Sequence, residues 1–143
     1  MSLLDLTIRM GARDDVARVL ELWESAGGPP TVSDTPEGLS RLLSTDGAAL
    51  FLALSGRTLV GTLIAAWDGW RGSFYRLAVH ADARRQGIGT ALLRQGERHL
   101  RECRAMRLTA VVADDEPAAL GFWKAAGYER QPHRTRFVHP VDG

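Results

Sequence analysis

Between the apolar run SFYRLAV (73–79) and a long amphipathic stretch lies Arg84-Arg85-Gln86-Gly87-Ile88-Gly89-Thr90. The spacing Arg84-x-x-Gly87-x-Gly89, set where a strand turns into a helix, suits the binding of an anion. The first turn of a helix leaves backbone N–H groups unbonded and carries the positive end of the dipole, and glycines let a phosphate approach that backbone closely. A diphosphate fits such a seat, and Arg84 and Arg85 add positive charge to it. The stretch lacks the Gly-Lys-Ser/Thr of a nucleoside triphosphate loop. Gly87-Ile88-Gly89 is followed by Thr90, Ala91 and Leu92, without the third glycine of a dinucleotide fingerprint. Both of those ligand classes are therefore disfavoured.

Groups able to move a proton are scattered around this motif. Asp68 precedes Gly69 at a turn, Asp114, Asp115 and Glu116 precede Pro117, and Tyr75 and His80 flank the end of the apolar run. Each also has a structural use: aspartate favours an Asp-Gly turn, acids at a helix start complement the dipole, and a loop histidine is usually solvated. Cys103 continues the apolar stripe of the long helix and reads as a small buried hydrophobe, not a nucleophile. The four histidines and one cysteine show no metal-ligand spacing, so no metal is expected.

The elements that must position these groups follow from periodicity and punctuation. Thr7–Met10 reads as a strand, and Asp14–Ala26 as a helix with Val16, Val19, Leu20 and Trp23 on one face and Gly27-Gly28 ending it. Thr35 before Pro36 is a cap with proline at the first helical position, and Leu39, Leu42 and Leu43 form the buried side of that short helix. Ala49–Leu54 and Leu59–Trp67 are joined by Ser55-Gly56-Arg57 as a hairpin, and Asp68-Gly69 turns the chain into Ser73–Val79. From Gly87 to Arg104 the apolar positions Ile88, Leu92, Gly96, Leu100 and Cys103 keep helical spacing. Arg107–Val112 then predicts a strand parallel to its neighbour, since strand, helix and strand make a crossover. A helix from Pro117 that stops at Gly127, a strand from Tyr128, and another over Thr135–Val138 complete a mixed sheet with antiparallel ends around the crossover.

Composition narrows the function classes. At 143 residues with 45% hydrophobic and 24% charged side chains, the chain has the make-up of an ordinary globular domain and not of a disordered one. A net charge of +1 gives bulk electrostatics no case for nucleic acid, and Glu97 and Glu102 interrupt the arginines of the long helix. No apolar run approaches the roughly 20 residues of a membrane span, Asp5 and Arg9 break any signal-peptide pattern, and a lone cysteine agrees with a reducing cytoplasmic setting.

Two ordered motifs and the sequence of elements over nearly the whole chain resemble the GNAT superfamily of N-acetyltransferases, in its small single-domain bacterial form. Arg84 to Gly89 matches that family's Gln/Arg-x-x-Gly-x-Gly/Ala acetyl-coenzyme A (acetyl-CoA) motif. Ala119 to Tyr128 resembles its later A-x-x-x-Tyr-x-x-x-Gly-Phe/Tyr signature. The resemblance implies an α/β fold of the α+β mixed-sheet kind, GNAT-like, with a mostly antiparallel sheet, one parallel crossover and about four helices. It implies one domain over 1–143 with its core at about 7–138. The implied activity is transfer of an acetyl group from acetyl-CoA directly to a primary amine, on a small molecule or on a protein N-terminus or lysine, in a ternary complex. The alternative is a non-catalytic acyl-CoA sensor.

By the same resemblance, backbone groups of Leu77, Ala78 and Val79 pair with the pantetheine arm. Amides from Arg85 through Gln86, Gly87, Ile88, Gly89 and Thr90 hold the pyrophosphate with Arg84 beside them, and Glu116, Ala119 and Trp123 complete the cofactor side. Two positions depart from the family pattern. Glu116 stands where an asparagine often opens the helix, and Trp123 stands at the tyrosine proposed as general acid, a role indole cannot fill. Thiolate departure then falls to water, Tyr75, Tyr128 or no acid. Asp68, Tyr75 and Glu116 stand with Trp123 as the catalytic candidates. Trp67, Trp70, Arg71 and the GGPPT loop are placed on the acceptor side. The expected partners are acetyl-CoA, an amine and, as one option, a second copy in a homodimer, with neither nucleic acid nor membrane.

Overall fold

Residues 49–55 and 58–67 are apolar almost without interruption, and a strand can be so only if both of its faces are covered. The computed structural model, which describes residues 5–26 and 30–141, shows how that is done. Strands β1 (Leu6–Met10), β2 (Ala49–Ser55), β3 (Thr58–Trp67), β4 (Gly72–Val79) and β5 (Leu108–Ala110) lie in that order in one sheet. The first three pairings are antiparallel and β4–β5 is parallel. Helices α1 (Val16–Ala26), α2 (Pro36–Leu43), α3 (Ile88–Glu102) and α4 (Pro117–Ala125) complete the element set. The chain forms two compact units, Met1–Ala110 and Val111–Gly143, and the sheet lies in the first.

Within that first unit the pleat sorts the side chains of β2 and β3. Leu50, Leu52, Leu54 and Ile64 pack with Val16, Val19, Leu22 and Trp23 of α1 and Leu39 of α2. On the other face a Cβ at Gly96 of α3 would come within 2.9 Å of Leu63, and one at Gly61 within 2.9 Å of Leu92. The α3 helix therefore lies on the sheet at a distance that only glycine at 96 permits. Its buried stripe is Ile88, Leu92, Leu93, Gly96 and Leu100. Leu93 joins the predicted positions, whereas Cys103 is the half-buried residue that ends the helix.

Turn chemistry behaves as its residues dictate. Thr35 caps α2 by accepting from the Gly38 N–H at 3.0 Å, with Pro36 in the first turn. Gly56 turns the β2–β3 hairpin at φ 60. The helix expected from Asp14 begins instead with a 3-10 turn at Arg13–Asp15, and its predicted stop at Gly27-Gly28 lies outside the described residues. The crossover to a parallel β5 is present, although that strand is only Leu108–Ala110 of the predicted Arg107–Val112. The strands predicted from Tyr128 and over Thr135–Val138 do not form: residues 128–141 carry no strand, and the parallel pair is the edge of the sheet. Pro132 and Pro140 supply no N–H to a ladder, and His133 breaks the extended run at φ 62.

One buried charge fastens β1 to the start of α1. Asp15, 4% exposed, accepts from Arg9 at 2.8 and 2.9 Å, from Arg18 at 2.7 Å and from the Ala12 N–H at 2.8 Å. The Arg9 hydrogen bonds, chiefly, hold its carboxyl far below the usual carboxylate range. A folded-state pKa below the unfolded one stabilises above about pH 4 and is lost as pH falls below that toward the folded value. Asp15→Asn is expected to lower stability by about 2 kcal/mol at neutral pH, the arginines being partly solvated. Urea melts at pH 7 and pH 3 check this, since the gap between variant and wild type should shrink at the lower pH.

Candidate functional site

The β4 strand is the frame of the site. Its first residues Gly72, Ser73 and Phe74 pair with Leu108, Thr109 and Ala110. From Tyr75 to Val79 no strand among the described residues pairs with it on that side. An open main-chain edge thus runs straight into the loop that precedes α3. In that loop Arg85 (φ 64) and Gly87 (φ 79) are both left-handed, the kind of backbone from which anion-binding nests are built. Gly87 is the residue before α3, and the Gly87 carbonyl accepts the first helical bond from Ala91 at 3.0 Å. The amides of Ile88, Gly89 and Thr90 therefore have no helical acceptor of their own and face the loop end of the dipole.

Arg84 and Arg85 do different things. The Arg84 side chain turns back, donating from Nε to the Val79 carbonyl and from its guanidinium to the Ala26 carbonyl at the end of α1, both at 3.3 Å. Arg85 is exposed on the loop itself. Arg85→Ala is expected to weaken acetyl-CoA binding about fivefold at low ionic strength and to flatten its salt dependence. Arg84→Ala should lose affinity through loop position and keep the salt dependence. Calorimetric titrations at two ionic strengths separate these effects, and two variants that both bind like wild type at low salt would leave the arginines as surface charges.

A β-bulge interrupts β4 just before the open edge begins to serve the loop. Tyr75 lies opposite Ile64 and Ala78 opposite Thr62, so Arg76 and Leu77 together face Leu63. Arg76 takes φ 52, which for a long side chain costs on the order of 1–3 kcal/mol. Hydrogen bonds offset it: the buried Thr62 hydroxyl donates to the Arg76 carbonyl at 2.9 Å and accepts from Trp23 Nε1 at 2.8 Å. The Arg76 guanidinium reaches Asp34 in the loop before α2, and burial lowers its pKa from the usual arginine range. Sequence reasoning did not find this group, because Asp34 and Arg76 are 42 residues apart and arginine carries no signal for a bulge.

The predicted acid and base candidates separate. Asp68 accepts from the N–H groups of Trp70 at 2.9 Å and Arg71 at 2.7 Å, and these bonds, Arg71 first, hold its carboxyl below the usual range. The turn itself uses this carboxylate. Its hairpin also sits at the start of β4, roughly 20 Å along the strand from the glycine loop at about 3.3 Å per residue. Trp70 and Arg71 share that end, where Met106 donates to the Trp70 carbonyl beside the start of β5, so this hairpin tip does not reach the loop end of β4. Tyr75 lies within β4, half exposed, one residue before the bulge. His80 Nδ1 accepts from the Asp82 N–H at 3.1 Å and so caps the turn after β4.

In the Val111–Gly143 unit, Glu116 stands before Pro117 at the start of α4, and its side chain makes no cap hydrogen bond. Asp114 pairs with Arg130 at 3.2 Å on the surface. Trp123 meets the Tyr128 ring edge-on at 5.0 Å and the Phe122 ring at 5.5 Å, and Gly127 ends the helix at φ 96. Among the described residues no group of three His, Cys, Asp or Glu side chains could hold a metal, and no helix is long and apolar enough to cross a membrane.

These features agree with what the chain is similar to. Residues 17–128 match the model of the acetyltransferase (GNAT) family. An acetyltransferase of Yersinia pestis (strain Pestoides F) is 32% identical over 126 residues, which cover 88% of this chain and 89% of that one. Among solved structures, the apo aminoglycoside 6′-N-acetyltransferase AAC(6′)-IG of Acinetobacter haemolyticus superposes with a TM-score of 0.79 at 20% identity, covering 95% and 99% of the two chains. AAC(6′)-Iy, solved with CoA, gives 0.79 at 16% identity over 94% of each chain. An open strand edge feeding a left-handed glycine loop at a helix start, carried on this sheet and matched over this length, has one consequence: the chain belongs to the GNAT family of acetyltransferases.

Proposed function

We propose that the protein transfers the acetyl group of acetyl-CoA directly to a primary amine within a ternary complex. The observation that carries this is the β4 edge, open from Tyr75 and continuous with the amides at the start of α3. Leu77, Ala78 and Val79 offer that edge to the amide groups of the pantetheine arm, with the Val79 carbonyl shared with Arg84. Amides from Arg85 to Thr90, Gln86 and the two glycines included, receive the pyrophosphate. Glu116, Ala119 and Trp123 are assigned to the cofactor side by the family motif. The family match runs across the boundary at Ala110, which supports one domain over 1–143.

In the reaction a neutral amine nitrogen attacks the thioester carbonyl, the C–N bond forms as the C–S bond breaks, and the proton shed by nitrogen balances the one taken up by the thiolate. The single cysteine is poorly placed to carry a covalent enzyme intermediate. Cys103 ends α3, and a helix of 15 residues at 1.5 Å each puts it about 22 Å from the glycine loop. A cytoplasmic setting fits both that single cysteine and the supply of acetyl-CoA.

Release of CoA thiol, followed across a panel of spermidine, free amino acids, aminoglycosides and peptide N-termini, tests the proposal. Aminoglycosides enter because two neighbours in fold act on them, a likeness that concerns the fold alone at 20% identity or less. Intersecting initial-rate lines with both substrates varied are expected. Parallel lines would replace direct transfer by a covalent route, and acetyl-CoA binding without turnover on any amine would make the protein a sensor.

A further inference from the structure

Among its described residues, the loop before α2 is tied to the cofactor strand through Asp34. Residues 30–35 are closed by local bonds: Asp34 accepts from the Thr31 N–H at 2.8 Å, the Thr31 and Ser33 hydroxyls meet at 3.1 Å, and Thr35 caps α2. None of these reaches the sheet. The tie is Asp34 itself, whose two carboxylate oxygens take Nε of Arg76, at 3.2 Å, and its terminal nitrogen. The Asp34 side chain is 9% exposed and that of Arg76 25%, and the guanidinium carbon lies 5.1 Å from the centre of the Trp23 ring. Arg76 is thus gripped at both ends, its carbonyl by Thr62 and its guanidinium by Asp34. The strand residue that would ordinarily place its charge in water instead adopts a left-handed backbone and holds the loop. A fork-to-fork pair of this kind has a defined geometry, and removing either partner leaves the other desolvated and unpaired.

We propose that Asp34 and Arg76 form a latch that fixes segment 30–35 on the β4 bulge and thereby positions the amine acceptor. In this reading both are positioning residues, acting through the loop and the bulge. The inference rests on the reading of β4 as the strand that carries the acetyl donor. With Asp34 and Arg76 paired to each other, the loop's position and not their charges would do the selecting.

The test uses Asp34→Asn, Arg76→Gly, and the exchanged pair Asp34→Arg with Arg76→Asp. Glycine suits φ 52, so Arg76→Gly removes the guanidinium without straining the bulge. Amide hydrogen exchange in 30–35 is expected to rise at least tenfold in both single variants and to return toward wild type in the exchanged pair. Calorimetry should find the acetyl-CoA Kd within about twofold of wild type. KM for whichever amine of the panel turns over fastest should rise about tenfold, with kcat changed far less. Unchanged exchange in both single variants, no recovery in the exchanged pair, or an unchanged KM overturns the latch. Failure of the wild type to bind acetyl-CoA would instead remove the functional reading, and the exchange data would then show a purely structural tie, which also overturns the positioning role.

Discussion

Gly89→Glu is expected to weaken acetyl-CoA binding by more than 100-fold while the protein stays folded. Position 89 is the second residue of α3 and lies off the stripe of Ile88, Leu92, Leu93, Gly96 and Leu100 that packs on the sheet. A glutamate there is, for the helix alone, mildly favourable, since a negative charge in the first turn complements the dipole by roughly 0.3–1 kcal/mol. For a pyrophosphate the same carboxylate is a like charge in the seat, and its side chain fills the approach that glycine leaves open. The two effects have opposite signs, which makes the experiment clean. Thermal melts should show Tm unchanged or slightly raised, while calorimetry shows the affinity gone. Gly89→Ala, which adds a methyl group and no charge, should lose much less. A folded Gly89→Glu protein with wild-type affinity would remove the glycine loop from the site and most of the proposed chemistry with it.

That loop was readable from sequence because every signal for it is local. A helix start needs only its own first turn, and Arg84-x-x-Gly87-x-Gly89 holds the turn, the glycine at φ 79 and the first unbonded amides within a few residues. The same locality made the Thr35-Pro36 cap and the Gly56 hairpin legible, and the apolar period of α3 named four of its five buried positions before the sheet was known. What stayed hidden depends on partners far along the chain. Arg76 sits in an otherwise ordinary strand sequence, and its positive φ is sustained by Thr62, whose hydroxyl is 14 residues away, and by Asp34, 42 away. The Arg84 side chain carried no sign that it would turn back toward the carbonyl of Ala26, 58 residues distant. Tyr128 and Thr135–Val138 failed as strands for a related reason. Aromatic and β-branched residues suit a pleated surface, but two prolines and a left-handed His133 deny the continuous donors that a ladder needs. At Asp68 the Asp-Gly pair signalled a turn, and the N–H donors of Trp70 and Arg71 show that turn using the carboxylate.

The family's tyrosine position is held by Trp123, and substitutions there test how the thiolate leaves. Indole has no proton to give at useful pH, so Trp123→Phe should keep most of the turnover if the ring only shapes the cavity. The Tyr128 ring lies edge-on to it at 5.0 Å, and the Tyr128 N–H donates to the Trp123 carbonyl at 3.0 Å, so a phenol is carried beside the position where the family places one. Were Tyr128 the acid, Tyr128→Phe would lower kcat by roughly 10²-fold with little change in acetyl-CoA affinity, the scale of a positioned general acid. Trp123→Tyr introduced into that background should then restore much of the loss, because it returns a phenol to the family position. In the wild-type background the same Trp123→Tyr change should gain little. The opposite pattern is equally informative. If Trp123→Tyr alone raises turnover by roughly 10²-fold and Tyr128→Phe changes nothing, acid assistance is missing from the natural protein, which then works as a slow enzyme or as an acyl-CoA sensor. Pre-steady-state rates of thiol release on the four variants, taken where product release does not limit, separate these two outcomes, and no effect from either Tyr128→Phe or Trp123→Tyr would turn attention to Tyr75 or water.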